Sequence, residues 1–96
     1  MREISLLDLP RSVIKSIMET LNELSIKGID PLDPRYSDAL KNALKKHKEE
    51  LEKMGIDYSY LAYLIVYLAS NLGTYRLLEI LKTKISTSKR KLEEII

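Results

Sequence analysis

The chain has 96 residues with 16 basic and 14 acidic side chains, so its net charge is only +2, which argues against a general polyanion-binding protein. It contains no cysteine, and this excludes both a disulfide framework and a thiolate metal site. A chain of this length makes one domain with a modest core, so we treat residues 1–96 as a single domain.

The first predicted helix runs from about Leu9 to Lys27. Asp8 is the expected N-cap, and Pro10 falls in the first turn, where proline is tolerated. Gly28 follows the segment, at the position that glycine commonly takes after a helix. The apolar residues recur at helical spacing and predict one buried face, made of Val13, Ile14, Ile17, Met18, Leu21 and Leu24.

The second predicted helix runs from about Pro34 to Met54, with Asp33 as its N-cap and Gly55 after it. Its apolar stripe is narrow, and several Lys and Glu residues form pairs spaced four positions apart, which is typical of a helix exposed on most of its surface. The stripe consists of Tyr36, Leu40, Ala43, Leu44, Leu51 and Met54.

The third predicted helix is the one segment without a polar face. It covers IDYSYLAYLIVYLASNL (residues 56–72). Asp57 marks the start of the helix, and Gly73 follows its end. On a helix, these residues divide into three sides: aliphatic residues form one, small residues form the second, and the third carries Tyr60, Tyr63 and Tyr67. A helix that is apolar all round is normally buried on every side, and a 96-residue chain has little protein with which to surround it. We therefore expect a second copy or another protein to cover part of this helix.

The fourth predicted helix starts after Thr74 and runs to about Ile95. Its seam alternates steps of three and four residues, as in a heptad pattern with one polar member. The seam consists of Leu78, Leu81, Ile85, Ser88, Leu92 and Ile95. Three N-cap residue types at 86–88 leave a break open as an alternative. The order of charges favours continuity, because a helix starting there would place three cations at its positive end.

Connections between these helices are short, so successive helices should run antiparallel. No segment shows the alternation of a strand. We predict an all-α chain, a four-helix antiparallel (up-down) bundle whose last helix is continuous or broken near residues 86–88.

The sequence offers no defensible catalytic, cofactor-binding or metal-binding constellation. His47 is the only histidine, and with Glu50 it supplies too few ligands for a metal site, so we expect a partly buried boundary residue. The Asp30/Asp33 pair has the character of turn and cap residues. Three isolated glycines cannot form a phosphate-binding loop. We therefore expect a protein that is not an enzyme and needs no cofactor.

Basic residues concentrate at the C-terminal end, which carries a net charge of +3 over residues 74–96. The run TYRLLEILKTKISTSKRKLEEII resembles a helix-turn-helix, with a Ser/Thr-capped basic second helix, although the turn lacks glycine. That resemblance implies DNA contacts, which would come from Lys84, Lys89, Arg90 and Lys91. A solvated face whose charges pair internally is the competing interpretation, and we consider it the stronger one.

Protein–protein interaction is the function that these patterns favour. We expect a homodimer or a small accessory subunit of a larger complex, in which nucleic-acid processing is one candidate process, and a small DNA-binding protein is the alternative. The expected interface residues are Tyr60, Tyr63, Tyr67, Leu78, Leu81, Ile85 and Leu92. The N-terminal residues do not form a signal peptide and no apolar run spans a bilayer, so we expect a cytoplasmic protein. The absence of Gln and the abundance of Lys, Glu and Ile are typical of thermophiles.

Overall fold

All regular structure in the described part of the chain is helical, which confirms the all-α class. The computed structural model describes residues 8–83. Five helices follow one another in that range: α1 (Arg11–Ile26), α2 (Pro34–Lys45), α3 (Lys48–Lys53), α4 (Tyr58–Leu72) and α5 (Thr74–Thr83). The predicted course of the last helix beyond Thr83, including the alternative break at 86–88, lies outside the described residues.

Most of the residues predicted to begin or end helices do so in the structure. The side chain of Asp33 accepts a hydrogen bond from the Arg35 backbone N–H at 2.9 Å, and Asp57 accepts one from the Ser59 N–H at 3.3 Å, so both cap the helices that follow. Gly28 and Gly73 adopt φ values of 70° and 90°, a region that residues with a Cβ rarely enter.

The predicted start of the first helix was wrong by two residues. Pro10, and not Asp8, occupies the N-cap position of α1, and it caps through its backbone carbonyl alone. Its carbonyl accepts hydrogen bonds from the N–H groups of Val13 and Ile14 at 3.0 and 3.1 Å. The reason is steric, because a proline ring disfavours the helical conformation in the residue before it, here Leu9.

The predicted second helix is interrupted at Lys46 and His47, which separates α2 from α3. His47 has φ −109° and ψ 18°, outside the helical region, and its N–H donates to the carbonyl of Leu44 at 2.9 Å in a tighter turn. The break comes without glycine or proline, so the local sequence carries no signal for it. Its contacts to α1 are described below.

The core of the described residues draws on all five helices, and α2 lies at its centre, packed against both α1 and α4. The predicted apolar face of α1 is buried, except that Met18 is half-buried. The charged helix α2 contributes a narrow stripe, as predicted, but Ala43 is only half-buried and Met54, which follows α3, is exposed. Fully buried residues of α2 and α3 are Tyr36, Leu40, Leu44 and Leu51.

The chain turns sharply at Gly73, where the axis of α5 departs by 113° from that of α4. This turn directs Leu77 and Leu81 into the common core, where both are buried. A hydrogen bond of 2.8 Å joins the hydroxyls of Tyr36 in α2 and Thr74 at the start of α5. Helix α2 therefore fixes the position at which α5 begins.

Candidate interaction surface

Helix α4 is buried on one side and exposed on the other. Leu61, Ala62, Ile65 and Ala69 pack into the core. On the opposite side, Tyr60, Tyr63 and Tyr67 are 39%, 69% and 59% exposed, and we call these three residues the tyrosine face. Single exposed apolar residues are ordinary on a protein surface, whereas aromatic rings grouped on one helix face are typical of a contact surface.

The tyrosine face is electrically neutral, because α4 contains no Asp, Glu, Lys or Arg from Tyr58 to Leu72. The nearest charged residues along the chain are Asp57, the N-cap of α4, and Arg76 in the first turn of α5, and both are exposed. The amide of Asn71 donates to the backbone carbonyl of Tyr67 at 2.9 Å, so its polar group is engaged within the helix. The surface can therefore exclude water without leaving an unpaired charge.

The predicted contact residues of the last helix have different surroundings. Leu81 is completely buried in the core, and Leu78 is half-buried against it. Leu81 thus stabilises the chain's own fold. The remaining residues predicted for an interface or for DNA lie outside the described residues: Ile85, Leu92, Lys84, Lys89, Arg90 and Lys91.

A polar cluster connects α1 with the α2–α3 break. The Ser16 hydroxyl lies 2.8 Å from Nε2 of His47, and Nδ1 of His47 lies 3.9 Å from Oε1 of Glu50. The Ser12 hydroxyl donates to Oε2 of the same glutamate at 3.5 Å. His47 is half-buried, which confirms the prediction for this residue. The sequence did not predict the hydrogen bond between Ser16 and His47, because Ser16 belongs to a different helix, 31 positions earlier in the chain.

A hydroxyl, an imidazole and a carboxylate in this order resemble the groups of a nucleophilic site. Ser16 however lies in the middle of α1, where the neighbouring backbone N–H groups are hydrogen-bonded within the helix. They cannot stabilise the oxyanion of an acyl-transfer reaction. Among residues 8–83, no group of three His, Cys, Asp or Glu residues could hold a metal ion. What the cluster's geometry supports is a connection between α1 and the α2–α3 break.

A shallow groove of about 470 Å³ lies between α1 and α2. Two of its cations are already paired with acids of the same chain: Lys27 with Glu23 at 2.9 Å, and Arg35 with Asp33 at 2.8 Å. These hydrogen-bonded cations hold the pKa values of the Glu23 and Asp33 carboxyls below their ordinary range. The groove therefore offers an anion few uncommitted charges. Its lining residues are Thr20, Glu23, Leu24, Lys27, Ile29, Arg35, Ala39, Asn42, Ala43 and Lys46.

No single helix within residues 8–83 is both long enough and apolar enough to cross a bilayer. The pair α4 and α5 reaches the required length only across its 113° bend.

No family model, curated protein or solved structure matches this chain. Among the features of residues 8–83, the tyrosine face points most directly to a function.

Proposed function

We propose that this protein is a non-catalytic helical interaction module that binds another protein surface through its tyrosine face. The observation that carries this proposal is the exposure of Tyr63 and Tyr67, both more than half accessible, on a helix that contains no charged residue. Tyrosine is enriched in the cores of protein interfaces, because its ring buries a large apolar area while its hydroxyl still finds a partner.

The neutrality of α4 favours protein over nucleic acid as the ligand. Stacking of unpaired bases on aromatic side chains requires interleaved cations that follow the phosphates, and the segment from Tyr58 to Leu72 contains none. Tyrosine rings buried against a protein surface need no such charges. For the arrangement of the helices, we retain the four-helix antiparallel bundle as a proposal, in which α2 and α3 count as one interrupted helix and α5 departs from the antiparallel direction, since its axis lies at 113° to that of α4.

DNA binding through Lys84, Lys89, Arg90 and Lys91 remains the alternative, on sequence grounds. It predicts a mobility shift of duplex DNA that weakens steeply with salt, because each phosphate contact releases a counterion. Replacing Lys89, Arg90 and Lys91 with alanine should abolish that shift. If the unmodified chain shifts no duplex at low salt, this alternative is wrong.

Site-specific photocrosslinking in the cells that make the protein tests the interaction module. A photoreactive phenylalanine derivative replaces Tyr63 in one variant and Leu32 in a control. Leu32 is 84% exposed and lies in the connection before α2, so it is not part of α4 or of the tyrosine face. We expect protein adducts from position 63 and none from position 32. If position 63 gives no protein adduct, or both positions label equally, the proposal is refuted.

A further inference from the structure

We propose that the surface bound by the tyrosine face is the same face of a second copy of this chain, with the two α4 helices packed antiparallel about a two-fold axis. This inference rests on the proposed function and names its partner. It follows from three properties of α4: its charge distribution, the order of its side chains and its exposed area.

The charge distribution suits a self-complementary contact. A two-fold interface brings each region of the surface against its own copy, so any charge at its centre would meet a like charge. The tyrosine face has no charged residue, and the nearest charges along the chain have opposite signs at its two ends. Antiparallel packing places the end of α4 that carries Asp57 beside the end of the second α4 that is followed by Arg76, twice by symmetry. Opposite charges at the two ends of the helix therefore favour the antiparallel orientation.

The order of side chains along α4 is also self-complementary. Ile65 is the midpoint of the 15-residue helix. Tyr63 and Tyr67 lie two positions before and after it, so an antiparallel pair centred there places Tyr63 opposite Tyr67 of the second copy. By the same register, Tyr60 faces Ser70 of the second copy, a large residue against a small one. Aromatic pairs near the centre and a large residue against a small one towards the ends favour a two-fold helix contact.

The exposed area is sufficient for the centre of a dimer interface. With about 200 Å² per tyrosine side chain, the exposed fractions of the three rings leave about 330 Å² per copy to be covered. Two copies together would bury about 660 Å² from these rings alone, against roughly 1,000 Å² for a specific interface. The half-buried Leu64 and Val66 and the exposed Ser70 and Asn71 flank the rings and can supply the remainder.

Sedimentation equilibrium of the purified 96-residue chain tests this inference, with Tyr63→Glu and Leu32→Glu as matched variants. We expect a dimer that survives Leu32→Glu, and we expect Tyr63→Glu to raise the dissociation constant about a hundredfold or more, because symmetry buries the carboxylate twice. Far-UV circular dichroism should show equal helix content in all three proteins. A monomer at every concentration, or a dimer that tolerates Tyr63→Glu, would overturn the inference.

Disulfide trapping tests the register, since the chain has no native cysteine. When Tyr63→Cys and Tyr67→Cys proteins are mixed and oxidised, the mixed disulfide should form in preference to either like pair. Preference for a like pair would refute the antiparallel register. If the chain is monomeric but position 63 crosslinks to a different protein in cells, the second copy is wrong and the interaction module stands. If position 63 crosslinks to nothing, both proposals fail.

Discussion

Replacing Tyr36 with phenylalanine tests how α5 is held to the rest of the fold. The side chain of Tyr36 is fully buried, and its hydroxyl makes a 2.8 Å hydrogen bond with the hydroxyl of Thr74. The substitution keeps the ring and removes only that bond. Because Thr74 is half-buried and can regain water, we expect the free energy of unfolding to fall by about 1 kcal/mol. For a domain of this size, that corresponds to a melting temperature about 5 °C lower.

Guanidinium titration followed by far-UV circular dichroism measures this loss, with Tyr75→Phe as the matched control. Tyr75 is exposed, and removing its hydroxyl should change stability by less than about 0.5 kcal/mol. A double-mutant cycle with Thr74→Val isolates the contact. The two single variants should each lose stability, while the double variant loses clearly less than their sum, because neither hydroxyl is then left without its partner.

Two results would contradict this expectation: Tyr36→Phe as stable as Tyr75→Phe, or strict additivity of the two substitutions in the cycle. Either result would show that the bond between α2 and the start of α5 contributes nothing to stability. The buried leucines of α5 would then have to hold that helix alone.

Three further outcomes follow from the same structure. Burial raises the pKa of the Tyr36 hydroxyl, so the unfolded chain loses the hydroxyl proton at a lower pH than the folded chain does. The free energy of unfolding should therefore fall as the pH rises above about 10. An equally steep fall in Tyr36→Phe would contradict this expectation. Leu81→Ala should cost about 2–5 kcal/mol in a denaturant titration and the more exposed Ile80→Ala much less, whereas similar losses would show that α5 packs differently. His47→Ala should cost about 1 kcal/mol by thermal unfolding, and adding Ser16→Ala should cost little more; additive losses would indicate that the two side chains do not interact.

Much of the fold was predictable because its signals are local. The spacing of apolar residues in α1, the Asp33 and Asp57 caps and the glycines after three helices each depend on neighbours a few residues away. The true start of α1 differs because the effect of Pro10 on the residue before it outweighs the cap at Asp8. The 113° turn between α4 and α5 could not be predicted in this way, because it places Leu77 and Leu81 beside core residues that are distant in the chain.

The candidate surface was predictable in part. The periodicity of α4 places the three tyrosines on one side and predicts that the helix has more apolar surface than its neighbours cover. It does not reveal which side remains exposed, because that depends on the direction from which α2 packs. The His47 contact could have been suspected from a row of hydroxyls at four-residue spacing in α1, namely Ser12, Ser16 and Thr20. A sequence pattern cannot show that this row faces the α2–α3 break.

That break has a consequence for how the molecule acquires its shape. Its residues are ordinary helix formers, and the side chain that His47 engages lies 31 positions earlier in the chain. The contact that accompanies the break is therefore supplied by α1 and not by residues next to the break. A detached peptide of residues 34–54 would lack this contact. We therefore expect any helix that it forms to continue through Lys46 and His47, so that the break appears only when α1 packs against this segment.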